Sequence, residues 1–177
     1  MQDDIDKQDA SVTERSTEDE NKYIIFSLGA EIYGAKLLSV REVIEAMPTK
    51  SVPNTITSFI GVCNLRGQII GVIDLRMRFA IEAPQAERPI FLIFETSSGP
   101  IGAAVDRIVS VSEIPEDLIE KQPNIVSAVP SRYMQGIGKI NDRLVTLINL
   151  KDVLSNEELA HAHHSKIQLK SNQERSA

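Results

Sequence analysis

The chain has 177 residues, 42% apolar, 25% charged and 5% aromatic, with one cysteine and no tryptophan. That is enough for one ordinary globular domain or two very small ones packed together. It excludes an internal disulfide and a multi-cysteine zinc site, and no apolar run approaches the roughly 20 residues that cross a bilayer. The net charge of −6 is concentrated at one end: residues 1–20 hold eight acids and two bases, whereas residues 21–155 hold 14 of each. Residues 1–20, with little apolar surface to bury, are expected to form a disordered acidic leader. The start Met1-Gln2-Asp3-Asp4 has no basic or apolar signal region, so a cytoplasmic protein without direct membrane contact is expected.

Strand-like runs follow in order: Tyr23–Phe26, Ile60–Leu65, Ile69–Ile73, Ile90–Phe94, a long run from Ile101 to Val111, and Leu144–Ile148. β-branched residues dominate them, and turn chemistry separates them at Gly29-Ala30, Arg66-Gly67, Ser97-Ser98-Gly99-Pro100 and Asn141-Asp142. Many short strands with tight turns predict sheets that close on themselves, as sandwiches or small barrels.

The chain also repeats itself. Residues 61–76 (GVCNLRGQIIGVIDLR) align without a gap on residues 136–151 (GIGKINDRLVTLINLK), 75 positions later. Upstream, at an offset of 68, Phe26 and Gly34-Ala35 match Phe94 and Gly102-Ala103, and Val40 and Val43 fall on Ile108 and Val111. Residues 23–76 and 91–151 therefore read as two copies of one unit, arranged as two small barrels about a pseudo-twofold axis. Chance alignment of apolar β segments is the competing explanation. Asp74 and Asn149 close their copies as helix N-caps, each starting a short helix. Ser155 is a further cap, and a helix over 155–170 would face Leu159 and Ala162 inward, with the last residues frayed.

Catalytic chemistry is hard to assemble. Cys63 lies inside a strand, and all three histidines (His161, His163, His164) lie in the tail. Cys63 therefore lacks the nearby base and electropositive setting of a nucleophile and reads as a small core residue. His161, His164 and Glu157 would share a helix face, but on a terminal, sparsely apolar segment that fixes no metal geometry. Glu116, Asp117 and Glu120 read as a wet surface patch, and Gly136-Ile137-Gly138 lacks the remainder of a phosphate loop. A neutral barrel region with few aromatics gives no nucleic-acid surface. No enzyme, metal or cofactor is expected. What remains is a surface: Arg66 projects from a hairpin tip ready for a carboxylate or a helix C-terminus, unless it is an idle turn residue. Val40, Val43, Ile108 and Val111 line apolar grooves, unless they are core.

Val62-Cys63-Asn64-Leu65-Arg66-Gly67-Gln68-Ile69-Ile70-Gly71-Val72-Ile73-Asp74-Leu75-Arg76 resembles the central signature of the CheW family of chemotaxis coupling proteins. The opening Tyr23-Ile24-Ile25-Phe26-Ser27-Leu28-Gly29 with Glu31-Ile32-Tyr33-Gly34, the strand Val40–Ile44, Gly102–Val111 and Tyr133–Leu154 are similar to further parts of it. The likeness spans 21–158, leaving 159–177 as a helical or frayed tail. The same domain occurs in the regulatory domain of the histidine kinase CheA and in the front half of CheV; without a kinase core or receiver domain, this chain looks like the stand-alone adaptor. The resemblance implies a mainly β fold of two five-stranded SH3-like barrels with short helices and a C-terminal helix. It implies a non-catalytic adaptor joining the cytoplasmic hairpin tip of a chemoreceptor to CheA. By the same resemblance, Arg66, Ile90, Gly102, Ile108 and Val111 match receptor-contact positions, and Val40, Glu42 and Gly61 match kinase-contact positions. Gly71 departs from the pattern, standing where the family commonly has proline. Alternatives are an adaptor of a non-flagellar pathway (type IV pili or second-messenger control) and a small ligand-binding β-barrel.

Overall fold

The structure, a computed structural model, describes residues 19–84, 86–121, 123, 127, 129–155 and 158. The leader's first 18 residues and the histidine-bearing tail lie outside them. Ten strands carry the fold among the described residues: β1 (Lys22–Leu28), β2 (Glu31–Lys36), β3 (Val40–Glu45), β4 (Phe59–Leu65), β5 (Gln68–Asp74), β6 (Ile90–Thr96), β7 (Gly99–Val105), β8 (Arg107–Glu113), β9 (Met134–Ile140) and β10 (Arg143–Ile148). One short α-helix, α1 (Leu75–Arg78), follows β5, and a 3₁₀ turn (Leu150–Asp152) takes its place after β10.

The strands form two five-stranded sheets, ordered β8-β1-β2-β10-β9 and β3-β6-β7-β5-β4. Exchanging each strand of the first copy with its counterpart in the second converts one order into the other, so the duplication is a structural pseudo-twofold. The correspondence reaches fine detail. In β1–β8 pairing the register slips past Val109, and in β3–β6 it slips past Arg41, the matching residue of the other copy.

The sheets are not the sequence copies. Each combines the first hairpin of one copy with the last three strands of the other, joined by a parallel pairing, β2 with β10 and β7 with β5. The expected long strand from Ile101 to Val111 is accordingly two strands in different sheets. The break falls at Asp106, whose Oδ2 accepts the Gly29 N–H at 2.6 Å and whose Oδ1 lies 3.4 Å from Arg76 Nε. The chain leaves the β7 ladder at this residue, and β8 crosses to pair with β1, as the other copy does at Leu37–Ser39 between β2 and β3.

One antiparallel bridge joins the two edges of each sheet. Lys50, beyond β3, exchanges hydrogen bonds of 2.8 and 2.9 Å with Val62 on β4; Glu120, beyond β8, does the same with Ile137 on β9, both at 2.9 Å. Beside each bridge stands a glycine with positive φ, Gly61 (+140°) and Gly136 (+155°). A Cβ at either position would collide with the carbonyl of Lys50 or Glu120.

Apolar burial explains the strand patterns. Ile24, Phe26 and Leu28 face a core shared by the two sheets, while Tyr23 and Ile25 face the interior of their own sheet beside Val145 and Leu147. β1 is therefore buried on both faces and reads as an unbroken apolar run. The other sheet's interior holds Cys63, Ile70, Val72, Phe91 and Ile93. Phe26, Tyr33, Phe79 and Tyr133 run through the shared core with successive ring centroids 6.0–6.1 Å apart. The edge strands β3 and β8 alternate between half-buried and exposed residues, and they offer side chains to solvent.

Candidate functional site

The signature segment ends in a two-residue turn between β4 and β5. Arg66 (φ +50°) and Gly67 (φ +86°) both adopt positive φ, the requirement of a type I′ hairpin, and Asn64 Oδ1 accepts the Gly67 N–H at 2.7 Å. The matching turn of the second copy uses Asn141 (+47°) and Asp142 (+63°), residue types that tolerate left-handed backbone. Arginine gains nothing locally from that conformation, which costs about 1 kcal/mol. Its guanidinium is nonetheless presented to solvent, with 76% of the side chain exposed, and Nη1 lies 3.0 Å from Glu42 Oε2 on β3. Arg41, Leu65, Gln68 and Pro100 line a shallow pocket of about 150 Å³ with the pair.

The residues matched to receptor contact do not share one sheet. Arg66, Ile90 and Gly102 belong to the β3-β6-β7-β5-β4 sheet, whereas Ile108 and Val111 lie on β8 of the other. The residues matched to kinase contact, Val40, Glu42 and Gly61, all lie in the sheet that carries Arg66. Val43 and Val111, equivalents under the twofold, are 43% and 55% exposed. Val40 and Ile108, also equivalents, pack half-buried against the shared core, as does Ile90. Gly102 and Gly61 are buried: a Cβ on Gly102 would stand 3.3 Å from Ile93 Cδ1, and Gly61 makes room for the closing bridge. Their roles are in shaping backbone. Gly71 has a local reason too, because a Cβ there would come within 2.7 Å of the Phe59 ring.

The cap expectations hold. Asp74 accepts the backbone N–H groups of Arg76 and Met77, and Asn149 accepts that of Lys151. Asp74 does more than cap, since Arg76 Nη2 lies 2.8 Å from its Oδ2 and the guanidinium also donates to the Pro84 carbonyl. Ser155 forms a reciprocal capping box with Glu158: the Ser155 N–H donates to Glu158 Oε2 (2.7 Å) and the Glu158 N–H to Ser155 Oγ (3.2 Å). Cys63 is buried, and burial pushes its thiol above the ordinary range. Glu116, Asp117 and Glu120 are exposed, and Lys121 beside Glu116 holds that carboxyl below its usual value. Among the described residues no group of three or more His, Cys, Asp and Glu is placed to hold a metal, and no helix is long and apolar enough to cross a membrane.

One cluster has no counterpart among the sequence motifs. Arg78, at the end of α1, grips the Glu158 carboxylate with both Nη atoms at 2.8 Å, donates from Nε to the Val153 carbonyl (2.8 Å) and from Nη2 to the Tyr133 hydroxyl (2.9 Å). The only available signal was an arginine in the helix that Asp74 caps, and its partner stands 80 residues away.

Two duplicated five-stranded sheets, edge strands with exposed valines and a turn arginine set out in solvent define a duplicated, mainly β module. A sequence model described as "CheW-like domain" matches residues 22–158. The chain is 30% identical over 140 residues to the chemotaxis protein CheW of Klebsiella aerogenes, covering 78% of this chain and 84% of that one. It is 28% identical over 149 residues to the CheW of Helicobacter pylori, covering 84% and 90%. The crystal structure of the scaffolding protein TtCheW from Thermoanaerobacter tengcongensis superposes with a TM-score of 0.72 at 31% identity, covering 78% of this chain and 90% of that one. The chain belongs to the CheW-like domain family and is a chemotaxis adaptor of that family, with its SH3-like pair of sheets.

Proposed function

We propose that this chain works in the cytoplasm, at arrays of membrane chemoreceptors, where it joins the receptors' cytoplasmic hairpin tips to the regulatory domain of the histidine kinase CheA. It thereby lets receptor state control autophosphorylation, and it makes and breaks no covalent bond itself. The carrying observation is Arg66, an exposed guanidinium held in a strained turn position that its twin fills with asparagine. Local rules broken without local gain mark functional positions. A receptor tip is a helical hairpin, and helices dock into apolar grooves with a charged rim. Arg66 supplies the charge and Val111 the exposed apolar contact of the receptor set, with Ile90, Ile108 and Gly102 shaping the strands behind them. Val40, Glu42 and Gly61 serve the kinase side.

The test is a reconstitution of purified chain, receptor cytoplasmic fragment and CheA, reading binary binding and kinase phosphorylation. Binding to both partners and receptor-dependent control of phosphorylation are expected. Failure to bind either one overturns the reading.

A further inference from the structure

Arg78 and Glu158 meet in a pocket of about 720 Å³ lined also by Arg132, Tyr133, Lys151, Asp152 and Ser155. None of these residues belongs to the Arg66 surface. The Arg78 side chain, 15% exposed, is held by partners besides the carboxylate. Its Nε is spent on the Val153 carbonyl, and it lies 5.5 Å from the Tyr133 ring centroid. Nη1 and Nη2, the latter shared with the Tyr133 hydroxyl, form a fork, the geometry that selects a planar carboxylate. Arg132 stacks on the same ring at 4.6 Å and donates to the same hydroxyl at 2.6 Å. Among the described residues, neither Arg132 nor Lys151 has a carboxylate within ion-pair distance. Asp152, the other acid at the pocket, accepts from Asn149 Nδ2 at 2.7 Å. Three cations, Arg78, Arg132 and Lys151, thus share the pocket with two carboxylates, Glu158 and Asp152, which leaves it net positive in a chain whose net charge is −6.

We infer that this pocket is a binding site for an acidic segment of a partner protein, and that Glu158 is its resident, exchangeable occupant. One carboxylate of the partner takes the place of Glu158 on the Arg78 fork, and a second answers Arg132 and Lys151. Glu158 belongs to the same chain and so competes for the fork as an intramolecular ligand, and a partner must bring either more than one acid or a contact elsewhere.

The experiment uses the full-length chain, labelled with ¹⁵N, and the Nε–H resonances of Arg78 and Arg132. The probe is the blocked peptide Ser-Asn-Glu-Glu-Leu-Ala, a copy of residues 155–160. Glu158→Gln removes the resident charge and keeps a capping-box side chain. It is expected to bind the probe at least ~10-fold more tightly than the unaltered chain, since the tethered competitor is weakened. Adding Arg78→Gln abolishes that binding. Equal affinity with and without Glu158→Gln overturns the proposal, as does binding that survives Arg78→Gln. Inorganic phosphate that shifts both resonances as strongly as the peptide at equal concentration overturns it in favour of a general anion site. Should the Arg78 variant fail to fold, Arg132→Gln with Lys151→Gln in the Glu158→Gln background decides: undiminished peptide binding rejects the site.

Discussion

Arg66 Nη1 stands 3.0 Å from Glu42 Oε2, linking the β4–β5 turn to the edge strand β3 of the same sheet. The arginine was matched to receptor contact and the glutamate to kinase contact, yet they form one ion pair. The Arg66 side chain is 76% exposed, so the pair adds little to stability, and its value is in orienting the guanidinium. Arg66→Asn places a residue suited to left-handed backbone in the turn. It is expected to raise unfolding stability by up to about 1 kcal/mol while weakening receptor-fragment binding by about 2 kcal/mol. Urea melts beside binding titrations check this. A variant that loses both, or neither, contradicts the assignment.

If Glu42 positions Arg66, Glu42→Gln and Arg66→Ala will not add. The double variant should bind the receptor fragment about as weakly as Arg66→Ala alone. A double-mutant cycle on receptor binding, repeated with the kinase regulatory domain, also shows whether the two partners meet at this pair.

Gly61→Ala and Gly136→Ala place a Cβ against the carbonyls that close the two sheets, at backbone angles an L residue rarely adopts. Each is expected to cost more than about 2 kcal/mol. Gly71→Ala meets the Phe59 ring instead, and a flexible neighbour softens that cost to about 1–3 kcal/mol. Phe59→Leu should recover part of the loss in the Gly71 variant and none in the Gly61 variant, as read from denaturant midpoints.

Burial raises the Glu158 carboxyl pKa, but the Ser155 N–H and the Arg78 fork outweigh it and hold the group below its ordinary value. A depressed folded-state pKa stabilises above the unfolded value of about 4.3 and loses that stabilisation as pH falls through the folded value. The unaltered chain should therefore exceed Glu158→Gln in thermal stability at pH 7 by on the order of 1 kcal/mol. The gap should close as the solution is acidified below pH 4. A gap independent of pH assigns the effect to packing.

Cys63, buried with its thiol pushed up, should react with a thiol reagent only as fast as the sheet opens. Labelling is expected to be slow in buffer and to accelerate along the unfolding transition in urea. Fast labelling of the native chain would expose a mobile β4.

Much of this architecture could be read before any coordinates. Strand positions followed from β-branched runs, the hairpin turns from Arg66-Gly67 and Asn141-Asp142, and the caps from Asp74, Asn149 and Ser155, because each depends on neighbours within a few residues. The duplication was legible for the same reason: two copies under one local code keep glycines, turns and caps at fixed offsets. Ile101–Val111 reads as one strand because its local pattern is continuous, whereas partners distant in sequence divide it at Asp106, β5 and β6 pairing with β7 and β1 with β8.

Sequence alone thus determined the elements, their repetition and the family. Tertiary structure decided which strands share a sheet, since a strand's own alternation says that it must be covered but not by whom. It also decided which charges meet, pairing Arg66 with Glu42 and Arg78 with Glu158 across 80 residues of chain. An ion pair is fixed by the distance between folded elements, and no local pattern encodes that distance.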